Sequence, residues 1–479
     1  MPIQDPGPDA PSLELSPEAM RAMGEAAVRA VADHIAGLPS APRSGLEGAE
    51  ALVRTLREPP PETGTELVPL LDFLMNTVFP ASINAAHPTY VAYVPGGGLY
   101  PSAIADFLGA ATNRFTGALF AAPAAVRLEA NVLEWFARWM GYPESARGIL
   151  TSGGSLANFS AVVTARKHLL GDDLARGVVY ASDQTHHCVS KVASLAGVPE
   201  ANIRLLATDE RCRAVPERFE DAIRADLGRG LRPFLLVGNA GTTNTGAVDP
   251  LSDLADVARR HGLWYHVDAA YGGFFNLCED GRRRLDGLNL ADSIVLDPHK
   301  GLFVPYGSGS LLVKDGELLR RAHTMSAEYL QDVASPEGEW NPADYSPELS
   351  RAYRGLRVWL PLKLFGVPAF RENLAEKLRL ARYFYEMIRE VPGVECPWVP
   401  DLSVVAYRFV PSEGDANEFN RRLLQAVNRS RKLFVSSTTV RGKVILRACV
   451  LSFRTHRTEI EEVFETVTAE ARKLGGVRA

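Results

Sequence analysis

The chain has 479 residues, 46% of them hydrophobic and 23% charged, which is the ordinary composition of a globular protein. Its 52 basic and 57 acidic side chains leave a formal net charge of −5, arguing against nucleic acid or an anionic membrane surface as a partner. Mean hydropathy is −0.06, and no apolar run approaches the roughly 20 residues that cross a bilayer, so no membrane span is expected.

The chain opens without a basic or apolar leader, so no secretion signal is read. Its first 15 residues, with Pro2, Pro6, Pro8 and Pro11, read as an extended arm. Ser16-Pro17-Glu18 then gives a helix start: a hydroxyl N-cap, proline in the first turn and an acid at the positive end of the dipole. A second amphipathic stretch carries Leu67, Leu70, Leu71 and Leu74, and residues 1–85 read as a helical segment. From about Gly141 short apolar runs alternate with helical periods. GVVYA (177–181), FLLVG (234–238), LWYHV (263–267) and SIVL (293–296) predict strands, with helices such as Leu251–His261 and Pro216–Leu227 between them. This alternation predicts an α/β fold with a mostly parallel sheet flanked by helices, over residues 86–355. After about Leu356 come a long helix, a strand at Val404–Phe409, a helix at Ala416–Asn428 and a strand at Lys443–Ala448. Residues 356–479 therefore read as a smaller α+β domain. The five cysteines (Cys188, Cys212, Cys278, Cys396, Cys449) are scattered without a CxxC pair, as buried free thiols in a reducing compartment would be. A cytoplasmic enzyme is the expectation.

In such sheets ligands gather beyond the carboxyl ends of the strands. The segments there are TSGGS, SDQTHH, NAGTT, DAAYGG and DPHKG. Gly153, Gly154 and Ser155 lie between a strand and a helix, where backbone N–H groups and a hydroxyl cradle a phosphate. His186 offers a ring to stack on a planar cofactor. A metal held by His186, His187 and Cys188 is disfavoured, because neighbouring residues cannot all face one ion. Asp268 closes an apolar strand, where it serves either as an N-cap or as partner of a protonated pyridine nitrogen. Lys300, hemmed by Pro298 and Gly301, is either a loop lysine or a desolvated amine able to form a Schiff base. His261 and His266 read as structural. A phosphate cradle, a stacking histidine, an acid and an amine in this order are what pyridoxal 5′-phosphate requires, and no metal is called for.

The motifs HPTYVAYVP, TSGGSLAN, SDQTHH, GTT (Gly241–Thr243), HVDAAYGG and DPHKG followed by VPYGSG resemble the group II pyridoxal-phosphate decarboxylases, among them the aromatic-L-amino-acid decarboxylases. The resemblance runs from about Ala86 to the C-terminus. It implies a type I, aspartate aminotransferase-like fold and a homodimer intertwined through the first helices. It implies Lys300 as the internal-aldimine lysine, Asp268 as the N1 partner and His186 as the stacking residue. Gly154, Ser155 and His299 would then meet the phosphate, and Thr243 and Ala270 would line the ring. Tyr93, Phe115 and Arg447 become substrate candidates; for Arg447 a structural ion pair is the alternative. Asp297 stands where many relatives carry Asn, and an acid beside a phosphate is unfavourable, so Asp297 is expected to face elsewhere. Gly117, Val94 and Gly96 replace larger residues, implying a wider substrate pocket. The implied reaction is decarboxylation of an L-amino acid, with an aromatic side chain favoured, to its amine through a quinonoid. Oxidative deamination to an aldehyde, or an acidic substrate, is the alternative. Gln331–Asp344 reads as a mobile loop and Ser346-Pro347-Glu348 as a helix start. Tyr345 between them is then either a hydrophobic staple or, by the resemblance, the acid that protonates the substrate carbon.

Overall fold

The structure is a computed structural model that describes residues 12–324 and 339–475. Most of the expected N-terminal arm (1–11) and of the expected loop (331–338) lies outside the described residues.

The chain separates into two units between His87 and Pro88. In the first, the helix Pro17–Gly37 begins as its signature predicts: Ser16 Oγ accepts the Ala19 N–H at 3.1 Å, and Pro17 needs no acceptor. No residue of this helix is buried, and Met20, Met23, Val28 and Val31 are exposed. The second amphipathic stretch forms the helix Leu67–Phe73, likewise without a buried residue.

The second unit holds two sheets. The larger contains β1 (Arg147–Thr151), β2 (Gly177–Ser182), β3 (Ile203–Leu206), β4 (Arg232–Asn239), β5 (Trp264–Asp268), β6 (Ser293–Leu296) and β7 (Gly309–Val313), in the order β1-β7-β6-β5-β4-β2-β3. The central strands are apolar because both faces are covered: β2, β5 and β6 are buried along their whole length. Strands β2 to β6 pair in parallel, whereas β7 runs antiparallel to both β6 and β1. The result is the mostly parallel, helix-flanked sheet of a type I fold. Because β7 reverses twice, β1 points the same way as β6, so all five predicted turns leave one edge of the sheet. Gly309 makes this possible: a Cβ there would come within 2.4 Å of the Gly153 carbonyl carbon, so only glycine lets β7 pass under the cradle.

The smaller sheet contains β8 (Val394–Glu395), β9 (Val404–Phe409), β10 (Ser436–Val440) and β11 (Lys443–Cys449), all antiparallel, in the order β10-β11-β9-β8. Helix Arg354–Arg389 precedes it and kinks at Gly366 (φ +73°), between Pro361 and Pro368. Proline breaks the hydrogen-bond ladder there, and glycine alone takes the left-handed turn without strain.

Candidate active site

The turns after β1, β2, β4, β5 and β6 enclose a cavity of about 340 Å³. One wall is the N-terminus of helix Gly154–Leu169, where Gly153, Gly154 and Ser155 line the space. First-turn N–H groups of a helix have no intrahelical acceptor and sit at the positive end of the dipole.

Lys300 follows β6 on the one-turn helix Pro298–Gly301 and reaches the cavity. Its Nζ lies 2.8 Å from Asp297 Oδ2. Burial works against the ammonium, but the Asp297 carboxylate outweighs it and, with Asp268, holds the lysine above its usual range. Contrary to the sequence-based expectation, Asp297 does not face elsewhere. It lines the cavity and leans over the cradle, so that a Cβ on Gly154 would stand 3.1 Å from Oδ2. Its Oδ1 is buried without a hydrogen-bond partner among the described residues. The reason is local: Pro298 at the first helical position leaves the preceding side chain pointing across the turn toward its own Lys300.

Asp268 ends β5 and is not a helix cap; the helical turn that follows starts only at Gly273. Oδ1 accepts the Ala270 N–H at 3.1 Å, and Oδ2 accepts Asn158 Nδ2 at 3.3 Å. His186 Nδ1 accepts the Cys188 N–H at 3.3 Å, which places its proton on Nε2. Burial lowers the pKa of this ring, against the pull of Asp268, so it is neutral. Among the described residues no three His, Cys, Asp or Glu side chains gather as a metal site. His299 donates from Nδ1 to the Ser308 carbonyl at 2.5 Å, leaving Nε2 3.7 Å from Asp297 Oδ2. Thr243 and Ala270 also line the cavity.

The substrate candidates lie outside this cavity. Tyr93 is 56% and Phe115 42% exposed. Arg447 is buried but has no carboxylate partner among the described residues: Nε donates to the Asn244 carbonyl, Nη1 to Ser436 Oγ, and Nη2 to the carbonyls of Thr243 and Tyr93. It clamps the GTT turn. At two of the three positions expected to widen the pocket the space is taken within the chain: the Leu349 carbonyl lies beside Gly117 and the Tyr306 ring beside Gly96.

Tyr345 is misplaced by the sequence reading. No helix starts at Ser346-Pro347-Glu348; Tyr345 instead closes the short helix Pro342–Tyr345, and the next helix begins at Arg354. Its ring is buried beside Trp340 at 6.4 Å, with Arg147 and Arg320 near its hydroxyl. Arg147 opens β1, at the end of the strand opposite the cradle, so within the chain Tyr345 does not reach Lys300. Ser346 Oγ accepts the Glu348 N–H at 3.1 Å, a local turn that imitates a cap.

Two residues escaped the sequence reading although a signal existed. Asn158 stands one helical turn after Gly154 and so shares its face. Asn239 ends β4 and donates from Nδ2 to Thr185 Oγ1 (2.9 Å) and Asp249 Oδ2 (2.7 Å), tying two of the turns together.

An amine, a fixed carboxylate, a neutral imidazole and a helix N-terminus around one cavity fit pyridoxal phosphate, whose aldehyde, ring nitrogen and phosphate need those groups. Residues 53–410 match the model of the pyridoxal-dependent decarboxylase conserved domain. The chain belongs to this family. This decarboxylase is 36% identical to an aromatic-L-amino-acid decarboxylase of Bacillus atrophaeus, over 97% of this chain and 98% of the relative. It is 31% identical to a phenylacetaldehyde synthase of Arabidopsis thaliana, over 95% and 96%. Its fold superposes on Oryza sativa TDC, solved with pyridoxal phosphate and tryptamine, with a TM-score of 0.93, 29% identity, and coverage of 97% and 100%. The decarboxylase is thus a carboxy-lyase of amino acids with pyridoxal phosphate as cofactor. No helix among its described residues is long and apolar enough to cross a membrane.

Proposed function

We propose that this decarboxylase removes CO2 from an aromatic L-amino acid and releases the amine, acting as a cytoplasmic homodimer. The observation that carries the reading is the single cavity in which Lys300, Asp268 and the helix N-terminus at Gly154 meet. When bound, pyridoxal phosphate supplies an aldehyde and an electron-withdrawing ring. Lys300 would hold the cofactor through Nζ at its aldehyde carbon. Asp268 holds a proton at the ring nitrogen. His186 orients the ring, with Thr243 and Ala270 beside it. Gly153, Gly154, Ser155 and His299 bind the phosphate.

The aromatic preference draws support from the name of the Bacillus relative and from Arg447. An acidic substrate needs a cation for its second carboxylate, and four N–H groups of Arg447 are already committed to protein acceptors. The homodimer draws support from the unburied helices Pro17–Gly37 and Leu67–Phe73 and from exposed Tyr93, Phe107, Phe115 and Phe120. The relative named phenylacetaldehyde synthase favours a second reading, in which dioxygen and water are consumed and aldehyde, CO2, ammonia and hydrogen peroxide are released. The test is CO2 release from Trp, Tyr, Phe, Dopa, His, Glu and Asp, with amine, aldehyde and peroxide quantified. Aromatic substrates with amine as product are expected; release from Glu or Asp alone would overturn the assignment.

A further inference from the structure

Strand β5 places Trp264, His266 and Asp268 at alternate positions, so their side chains share one face of the sheet. Ser293 of β6 lies opposite His266 in the strand register. Trp264 Nε1 donates to Ser293 Oγ at 2.8 Å, and Ser293 Oγ lies 2.7 Å from His266 Nδ1. His266 Nε2 lies 2.8 Å from Asn158 Oδ1, and Asn158 Nδ2 donates to Asp268 Oδ2 at 3.3 Å. Trp264, Ser293, His266 and Asn158 are all buried.

The direction of every proton in this string follows from its last member. An ionised carboxylate only accepts, so Asn158 must turn its NH2 to Asp268 and its carbonyl to His266. His266 must then carry its proton on Nε2, and Nδ1 is left as an acceptor. Burial holds the ring's pKa down to about 4, so the imidazole is neutral and has no second proton to place there. Ser293 therefore donates its hydroxyl proton to Nδ1, and its own lone pair takes the indole N–H, which can only donate. Each bond points toward Asp268. A cationic partner would also fix the carboxylate, but it would neutralise it and compete with the ring nitrogen. Neutral donors fix its orientation and leave its charge in place.

We infer that Trp264, Ser293, His266 and Asn158 form a one-way relay of neutral donors that holds Asp268 as an oriented anion for the cofactor's ring nitrogen, with His266 as the positioning residue. The inference rests on the reading that Asp268 meets that nitrogen. It deepens that reading by assigning His266, which does not line the cavity, a part in cofactor binding.

The test is the cofactor dissociation constant of the full chain and of His266→Gln, His266→Leu and Ser293→Ala, with melting of each cofactor-free protein as the measure of folding. Gln keeps an N–H for Asn158 and should stay within roughly threefold of the wild type. Leu removes the donor and should weaken cofactor binding about tenfold or more, as loss of an outer-layer partner does at metal sites. Ser293→Ala should fall between them. Equal affinity in wild type and His266→Leu, or equal loss in the Leu and Gln variants, would overturn the relay. Should the Leu variant not fold, 15N spectra of the histidine-labelled wild type decide: a neutral His266 protonated on Nε2 at pH 7 is expected, and a proton on Nδ1 or a cation overturns it. A wild type that binds no pyridoxal phosphate would instead sink the underlying assignment of Asp268.

Discussion

Two carboxylates share one cavity and are built in opposite ways. Asp268 has a donor on each oxygen, one from the backbone of its own turn and one from Asn158. Asp297 has Lys300 on one oxygen and nothing on the other, although that oxygen is buried. A buried acceptor without a donor is costly, so Asp297 carries the strained end of the site and Asp268 the settled one. Position along the sheet does not separate them, since Asp268 closes β5 and Asp297 directly follows β6 at the same edge. What separates them is the layer behind: Asp268 has a string of buried polar side chains, whereas Asp297 depends on the lysine that the reaction must release.

The sharpest way to break this contrast is to remove the lysine. In Lys300→Ala, CO2 release should fall below detection and the visible absorption of the covalently held cofactor should vanish; retained activity would show that another amine serves. Asp268→Asn should follow, costing about 3 kcal/mol or more as removal of one member of a buried charged pair does, a loss of about a hundredfold in kcat/KM. Activity within a few-fold of wild type would mean that Asp268 is not paired in the reaction.

The layer behind Asp268 has its own signature in acid. Between 6.5 and about 4 the unfolded chain takes a proton that buried His266 refuses, so this group lowers stability as pH falls. Buried Asp249, pushed up from 3.8 to about 6, does the reverse, because the folded chain is protonated first. His266→Gln removes only the first effect. From pH 7 to pH 5 the variant should gain about 2 kcal/mol on the wild type in denaturant unfolding of the cofactor-free proteins. An unchanged gap would show that His266 titrates normally. The smallest effect belongs to Asp297→Asn, which keeps an acceptor for Lys300 and removes a charge beside the phosphate cradle. Cofactor binding should tighten by about 1 kcal/mol. Weakening on the scale of Asp268→Asn would erase the distinction between the two acids.

Much of this site was legible from residues alone, and the failures have physical causes. Apolar runs marked β2, β4, β5 and β6 because strands covered on both faces read as continuous hydrophobic stretches. What followed these runs supplied His186, Thr243, Asp268 and Lys300, and the Gly-Gly turn before a helix supplied the Gly153–Ser155 cradle. His266 reads as structural because it falls inside a strand, and nothing local points to its partner Asn158, more than a hundred residues away in sequence. Asp297 was expected to turn away because charge repulsion was weighed against the phosphate alone, while the neighbouring ammonium was left out. The helix start after Tyr345 failed because Ser-Pro-Glu specifies a local N-cap geometry without specifying that a helix follows. Strand β7 and its reversal have no signature of their own, since direction in a sheet is decided by partners distant in sequence.

That reversal has a consequence for how the chain is made. Strand β1 occupies the sheet edge and pairs only with β7, so Arg147 waits for Val313 and Thr151 for Gly309. During synthesis the strand that leads into the cradle therefore emerges early and is paired late, after the other strands of the large sheet have appeared. Long-range pairings of this kind are slow to form, and an unpaired apolar edge is prone to join another chain. A ribosome stalled before Gly309 would thus hold a nascent chain with β1 exposed and no closed cradle. The cradle that β1 leads into thus depends on one of the last-made strands of the large sheet for its edge.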